Sequence, residues 1–455
     1  MGLMPFTDAM FLAPETRAQP MHVGGLQLFD LPADAGPEWV REFYEHALGA
    51  GDVAPLFRRR PHRSALTLGA WKWEVDDEVD LEHHVRHSAL PRPGRVRELL
   101  TLVSRLHGTL LDRKRPLWET HIIEGLDGDR FAVYSKLHHS MMDGVSALRL
   151  LQRSLSTDPD DRATPLPWEP QVSGPRSSRR PRPGVVEQSA SLLHAAGDLA
   201  SLGPRLAAAG AHAMREQAAL LPAPPPRTMF NVPITGSRRY AAQGWPLKRL
   251  RAVADRTGAT INDVVLAMCA ASLREYLLDA DALPDQPLVA MTPVSLRGDG
   301  DESTAGNAVG AILCNLATDH SAPLTRLEVI HESMENGKAL LRRMSKLQAM
   351  ALSAAVMTPM AVESLLGVHR VTRPAFNLII SNVPGPDHPL YWNGARLQGS
   401  YPLSIPLAGQ ALNITATSYN ASMDFGVTGC RRSVPHLQRL LTGLDAGLQE
   451  LEAAS

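Results

Sequence analysis

The residues best suited to chemistry in this 455-residue chain are two adjacent histidines, His138 and His139. Asp143 and Gly144 follow them after three intervening residues. A neutral imidazole titrates near physiological pH and is therefore a ready general base. Asp143 can order the turn as a helix cap or in an ion pair, and Gly144 removes a side chain where a substrate could pass close to the backbone. The spacing indicates a proton-transfer site.

The elements around this motif predict where the two rings point. Residues 129–139 alternate as a buried strand does, so His138 and His139 should face opposite sides of the sheet. Residues 145–155 show helical periodicity, and Asp143 stands where a helix cap is favoured. Because only one imidazole can face a given cleft, we expect one histidine to be catalytic and the other to support it.

Two other interpretations of the pair remain open at this point. Histidines at a strand end can simply pack and hydrogen-bond, and a second pair, His83-His84, lacks an Asp-Gly at the same spacing. A metal site is the third interpretation. Adjacent histidines on opposite faces make poor joint ligands, and no cysteine or second histidine-rich cluster has ligand spacing, so we expect no metal.

Composition limits the classes of function. With 44% apolar and 20% charged residues the chain is typical of a globular protein, and a net charge of −1 gives no global electrostatic case for nucleic acid. Three widely separated cysteines, Cys269, Cys314 and Cys430, predict buried thiols in a reducing compartment. We see no secretory leader and no apolar run of membrane-spanning length, so any membrane contact should be peripheral.

The length predicts two large lobes. A stretch rich in Pro, Arg and Ser begins near Asp158, and an Ala- and Leu-rich stretch follows it. We therefore expect an N-terminal lobe at 1–159, a crossover linker at 160–226 and a C-terminal lobe at 227–455.

Further candidates lie in the second lobe. Thr260 and Asp263 have the spacing of a capping box, which places Asn262 in the first turn of a helix, where backbone N–H groups are free. Asn262 is either part of a helix start or an amide donor. Ser381 and Asn382 end a predicted strand and are weaker candidates for substrate binding.

The His138-His139-x-x-x-Asp143-Gly144 motif resembles the HHxxxDG motif of the CoA-dependent acyltransferase superfamily. Other segments narrow the resemblance to the bacterial wax ester synthase/diacylglycerol acyltransferase family. They are the Pro-Met-His segment at 20–22, Pro-Leu-Trp at 116–118, Pro-Val-Ser-Leu-Arg at 293–297 and Ser-Asn-Val-Pro-Gly-Pro at 381–386.

This resemblance implies a mixed α/β fold with two lobes like chloramphenicol acetyltransferase. Each lobe would be a mixed β-sheet flanked by helices, with a central tunnel between them. It implies that His139 is the general base and His138 a supporting residue. It also implies that Asp143 orders the loop, held by Arg297, and that Asn262 stabilises the oxyanion.

The implied reaction moves a long-chain acyl group from acyl-CoA to a fatty alcohol or diacylglycerol, without an acyl-enzyme and without a cofactor. The expected location is cytoplasmic, peripheral to the inner membrane surface or to lipid inclusions. Two alternatives stay open: a condensation-type transferase that acts on carrier proteins, and a lipid-binding protein with no turnover.

Overall fold

The computed structural model describes residues 4–49, 51–63, 69–170, 208–295, 309–345, 348–349, 351–353, 355–357 and 373–455. Residues 208–219 are helical. The helices with both ends in the described residues are α1 Phe6–Leu12, α2 Trp39–Leu48, α3 Leu81–His84, α4 Val96–His107, α5 Gly144–Arg153, α6 Leu247–Thr257, α7 Ile261–Asp279, α8 Pro323–Arg342 and α9 Arg439–Ala454. Its strands are β1 His22–Asp30, β2 Arg59–Arg63, β3 Trp71–Val75, β4 Val85–Ala89, β5 Trp118–Leu126, β6 Arg130–His138, β7 Arg238–Pro246, β8 Val289–Ser295, β9 Val309–Asn315, β10 Leu378–Val383, β11 Tyr391–Trp392, β12 Ala395–Leu403, β13 Leu412–Tyr419 and β14 Ser422–Cys430.

The first sheet has the strand order β11-β12-β1-β6-β5-β4. Strand β6 is antiparallel to both of its neighbours, and His138 at its end lies opposite His22 of β1. Strands β4 and β5 are parallel. The predicted strand at 129–139 is confirmed as β6, which carries the histidine pair at the end of an interior strand.

The second sheet has the order β7-β14-β13-β10-β8-β9 and is also mixed. Strand β10 runs parallel to both β13 and β8, whereas the other pairs are antiparallel. Helix α7 packs within this lobe and is buried along most of its length, which explains its apolar residues on every side. Two mixed sheets with flanking helices confirm the predicted fold class.

Strand β12 links the two halves of the chain. It follows β10 in sequence, yet it pairs with β1 in the first sheet, with Gly24 opposite Leu403 and Asp30 opposite Arg396. Residues from the second half therefore complete the sheet that carries the histidines. The division at 159 and 226 stays a prediction, and much of the linker lies outside the described residues.

Two observations bear on the chemical environment. Cys269, Cys314 and Cys430 are free and buried, as predicted. Across the described ranges, no helix has both the length and the apolar composition needed to cross a bilayer.

Candidate active site

Strand β6 ends at His138 and α5 starts at Gly144, so the motif forms one strand-to-helix turn. Asp143 caps α5: Oδ1 accepts from the Ser146 backbone N–H at 2.8 Å, and Oδ2 accepts from the Ser146 hydroxyl at 2.9 Å. The capping interpretation of Asp143 is therefore correct. Arg297 lies outside the described residues, so its pairing with Asp143 stays a prediction.

His139 is held from two sides. Its ring stacks on Phe11 with centroids 4.0 Å apart, and its backbone N–H donates to the Met21 carbonyl at 2.8 Å. Desolvation of the ring lowers the pKa of His139 to about 4, although the Asp143 carboxylate and the residue's own main-chain carbonyl act in the opposite direction. At neutral pH the imidazole is therefore uncharged and can accept a proton.

The two ring nitrogens of His139 differ in exposure. Nδ1 is buried and has no hydrogen-bond partner among the described residues. A nitrogen that is closed off in this way is a poor acceptor for the proton of an incoming hydroxyl, so Nε2 is our candidate for the basic atom.

His138 points into the protein and is fully buried. Its Nδ1 accepts from the Ser140 backbone N–H at 3.1 Å and lies 2.7 Å from the Ser140 hydroxyl. The proton of a neutral ring must then be on Nε2, which lies 3.2 Å from Glu15 Oε1, within ion-pair distance but outside good hydrogen-bond geometry. His138 therefore supports the turn through Ser140, on the face of the sheet away from the His139 ring.

Glu15 is a site residue that the sequence analysis missed. Its Oε1 accepts from the Met21 backbone N–H at 3.0 Å, and its Oε2 accepts from Arg113 Nε at 3.0 Å. Burial raises the pKa of Glu15, but His138, Met21 and Arg113 outweigh it and the net pKa is lowered. Because Met21 also binds the backbone of His139, one buried carboxylate anchors both histidines.

Phe11 was also missed as a site residue, although it stands in the segment that precedes the Pro-Met-His strand. A charged Glu15 and an aromatic Phe11 just before β1 were the available signals. Neither signal identifies its histidine partner, because that contact is distant in sequence.

In the second lobe the predicted capping box is confirmed. Thr260 Oγ accepts from the Asp263 N–H at 3.2 Å, and Asp263 Oδ2 accepts from the Thr260 N–H at 2.9 Å. This geometry places Asn262 in the first turn of α7. Asn382 Nδ2 donates to Asn262 Oδ1 at 3.3 Å, which leaves the amide N–H groups of Asn262 available for a ligand.

The predicted site residues form two groups, the turn from His138 to Gly144 and a second group at the start of α7. In the second group the side chains of Asn262 and Asn382 are hydrogen-bonded, and the partly exposed Ser381 precedes Asn382 in β10. The loop that follows β10 approaches α5, since a Cβ on Gly385 would lie 3.0 Å from Gln152 Nε2. Within the described residues, no hydrogen bond joins the asparagines to His139.

Gly144 has room for a side chain. A Cβ on Gly144 would lie 3.6 Å from Val23 Cγ1, which is ordinary van der Waals contact, so packing alone does not require glycine there.

Among the residues that the structure describes, no three His, Cys, Asp or Glu side chains are grouped to hold a metal ion.

Comparison with known proteins gives the same architecture. The profile of the wax ester synthase/diacylglycerol acyltransferase catalytic domain matches residues 4–265, and that of the WS/DGAT C-terminal domain matches residues 305–452. A protein of Mycobacterium tuberculosis (strain ATCC 25618 / H37Rv), provisionally named a diacylglycerol O-acyltransferase, is 53% identical over 450 residues, 98% of each chain. A probable diacylglycerol O-acyltransferase of the same strain is 49% identical over 454 residues, 100% of this chain and 99% of the other.

Solved structures with the same fold include a wax ester synthase and a condensation domain. The wax ester synthase/diacylglycerol acyltransferase of Marinobacter aquaeolei VT8 superposes with a TM-score of 0.81 and 43% identity, over 100% of this chain and 99% of that one. A starter condensation domain of rhizomide synthetase shares the fold alone, with a TM-score of 0.60 and 14% identity, over 100% of this chain and 94% of that one. The chain with the His138–His139 turn described above belongs to the wax ester synthase/diacylglycerol acyltransferase family.

Proposed function

We propose that this protein transfers a long-chain acyl group from acyl-CoA to a fatty alcohol or to diacylglycerol, with His139 as the general base. The state of the His139 imidazole carries the proposal: the ring is neutral at pH 7 and is stacked on Phe11. The names of the relatives support both classes of acceptor, and the condensation domain of the same fold was solved in complex with C8-CoA.

The proposed reaction needs one positioned base. His139 Nε2 takes the proton of the acceptor hydroxyl as its oxygen attacks the thioester carbonyl, and a tetrahedral oxyanion forms. Collapse of this intermediate breaks the carbon–sulfur bond, and the imidazolium returns the proton to the departing CoA thiolate. A positioned general base contributes roughly 10²–10⁴-fold to the rate.

Asn262 is our candidate donor to the oxyanion. Asn382 holds its amide oxygen, so the amide N–H groups are oriented before the substrate arrives. A preorganised donor of this kind is worth roughly 10²–10³-fold in kcat. His138 and Glu15 position the turn and take no part in proton transfer.

The acceptors of this reaction are apolar and collect at lipid surfaces. We therefore propose that the protein works peripherally, at the inner membrane surface or at lipid inclusions. The test is flotation of the full chain with triolein droplets coated with phosphatidylcholine, and protein that stays in the aqueous layer below the floating droplets would contradict this part of the proposal.

The decisive experiment measures thiol release from palmitoyl-CoA with hexadecanol or diolein as acceptor. His139→Ala should lower acceptor-dependent release at least 100-fold while the melting temperature stays close to that of the wild type. The chain supplies a matched control, because His83 belongs to the second histidine pair and His83→Ala should leave release unchanged.

The outcomes separate the alternatives. Release that survives His139→Ala would refute the assignment of the base. A folded wild-type protein that releases no thiol with either acceptor would favour a carrier-dependent transferase or a lipid-binding protein. The acceptor with the higher kcat/KM identifies the product as wax ester or triacylglycerol.

A further inference from the structure

A cleft of about 640 Å³ lies where the N-terminal half of the chain meets the start of the second sheet. Three main segments form it: the loop before β1, the end of α4 and the loop that leads into β7. Its lining residues are Arg17, Ala18, Ser104, Arg105, Gly108, Ile234, Thr235, Gly236, Ser237, Arg238 and Arg431. The volume is in the range of sites that bind small molecules and cofactors.

The lining of this arginine cleft is strongly cationic. Four of its eleven residues are arginines and none is acidic, although the whole chain has a net charge of −1. Arg17, Arg105 and Arg431 are exposed, and no described carboxylate lies within ion-pair distance of them. A concave surface that concentrates one sign of charge attracts ligands of the opposite sign.

Arg238 adds a charge that is costly without an anion. Its side chain is only about 5% exposed, and its guanidinium donates to the carbonyls of Ala18, at 2.8 Å, and Thr235. Burial lowers the pKa of Arg238 to about 10, so the group stays cationic at neutral pH. Cys430 lies opposite Arg238 in the sheet and raises the pKa of Arg238 against the effect of burial. No described carboxylate forms an ion pair with the Arg238 guanidinium.

The backbone fixes the shape of the cleft before any ligand binds. A Cβ on Gly236 would lie 2.5 Å from the Arg17 carbonyl oxygen, and a Cβ on Gly108 would lie 2.9 Å from the Gly236 carbonyl oxygen. The three segments therefore approach one another more closely than any residue with a side chain allows. A preformed site loses less entropy on binding than a site that must be ordered.

The cleft is connected to the candidate active site by a short piece of chain. Ala18 lines the cleft, and Met21, three residues further on, accepts the hydrogen bond from the His139 backbone. Three residues span at most about 11 Å. On the other wall Gly108 follows His107, whose carbonyl accepts from His22 Nε2 at 2.9 Å, and His22 lies opposite His138, on the face turned away from the His139 ring. The pantetheine arm of CoA is longer than this separation of the Ala18 and Met21 backbones.

We propose that the arginine cleft binds the phosphate groups of the acyl-CoA donor, the diphosphate and the 3′-phosphate of its adenosine end. The proposal rests on the function proposed above and names the recognition site for its donor. Arginine suits this role because its planar fork donates two parallel hydrogen bonds to phosphate oxygens. The phosphate of an anionic lipid headgroup has the same chemistry, so the test must separate the two sources.

The test uses the double variant Arg105→Gln/Arg431→Gln, because both side chains are exposed and their loss should not prevent folding. The control, Arg251→Gln/Arg343→Gln, removes two exposed arginines outside the cleft and so makes the same change in net charge. Titration calorimetry with CoA and with dephospho-CoA measures binding without turnover. Steady-state kinetics compare palmitoyl-CoA with the palmitoyl thioester of N-acetylcysteamine, which has no phosphate.

The cleft variant should bind CoA at least 10-fold more weakly than the control variant does, and dephospho-CoA should show a smaller difference. Its KM for palmitoyl-CoA should rise by a similar factor with little change in kcat, and kcat/KM for the phosphate-free thioester should stay unchanged. Equal CoA affinity in the two variants would overturn the proposal.

The outcomes distinguish this site from the proposed function. CoA binding that is lost in the cleft variant of a protein without turnover would support the site and refute the function. Turnover of palmitoyl-CoA by the cleft variant with an unaltered KM would support the function and refute the site. A cleft variant that keeps its CoA affinity but no longer sediments with phosphatidylglycerol vesicles would assign the cleft to a lipid headgroup and overturn our proposal.

Discussion

At the scale of single residues, the site depends on one buried carboxylate. Glu15 accepts from Met21 and from Arg113 and faces His138, while Met21 in turn accepts from the backbone of His139. His139, the proposed base, and His138 therefore share one anchor. A buried charge with several partners is costly to break, because each partner is left without its counterpart.

Glu15→Gln should lower the free energy of unfolding by about 2–4 kcal/mol. The amide nitrogen of glutamine would face a donor on either His138 or Arg113. We also expect a lower kcat, since the backbone support of His139 is disturbed. Urea denaturation and thiol release measure the two effects. The control is Glu98→Gln, which breaks a surface ion pair with the exposed Arg95 and should change little. Equal losses in both variants would contradict the role of Glu15 as an anchor.

At the scale of elements, the turn that carries His138 and His139 ends at the start of α5. Asp143 makes both of its hydrogen bonds to Ser146, and its charge raises the pKa of His139 against the effect of burial. One carboxylate thus caps a helix and raises the pKa of a neighbouring imidazole. These two roles can be separated by substitution, because asparagine keeps an acceptor but has no charge.

Asp143→Ala should lower the free energy of unfolding by about 1 kcal/mol, because α5 loses its cap. Asp143→Asn should lose less stability, yet the pKa of His139 should fall from about 4 to a lower value without the nearby negative charge. Histidine-ring NMR titration measures this pKa, and denaturation measures the cap. Ser146→Ala is the control, since it leaves the carboxylate in place. An unchanged His139 pKa in Asp143→Asn would show that the charge does not act on the ring.

Local patterns predicted these elements correctly from sequence. The alternation at 129–139 predicted β6, and the Thr260–Asp263 spacing predicted the start of α7. Such signals depend on neighbours within one turn or one strand. The contact of Glu15 with His138 depends on tertiary packing, and the four cleft arginines belong to separate segments, so no spacing in the sequence could connect them.

At the scale of the whole molecule, several histidines are folded in their neutral form. Desolvation lowers the pKa of His84 and of His139 to about 4 and that of His107 to about 3. In the unfolded chain these groups take up protons near pH 6.5. Asp424 changes stability with pH in the opposite direction, because burial raises its pKa to about 6. It is one group against these three histidines.

The protein should therefore be stable above pH 6.5 and lose stability as the pH falls from 6.5 towards 4. The unfolded state binds protons in this range that the folded histidines do not, at a cost of about 2 kcal/mol for each group at pH 5. Calorimetric unfolding at pH 7 and pH 5 measures the loss. His107→Gln should show a smaller loss between these pH values than the wild type, whatever its stability at pH 7. A wild-type melting temperature that is equal at both pH values would contradict this expectation.

The crossing of β12 has a consequence for protein engineering and for evolution by recombination. Because residues 396–403 pair with β1, a fragment ending near residue 226 would leave one side of β1 without its hydrogen-bond partners, and such an open edge is a template for aggregation. A chimera joined near residue 226 would likewise place a foreign strand beside β1. Productive exchange between relatives must therefore transfer β11 and β12 together with the N-terminal half, as a two-piece graft.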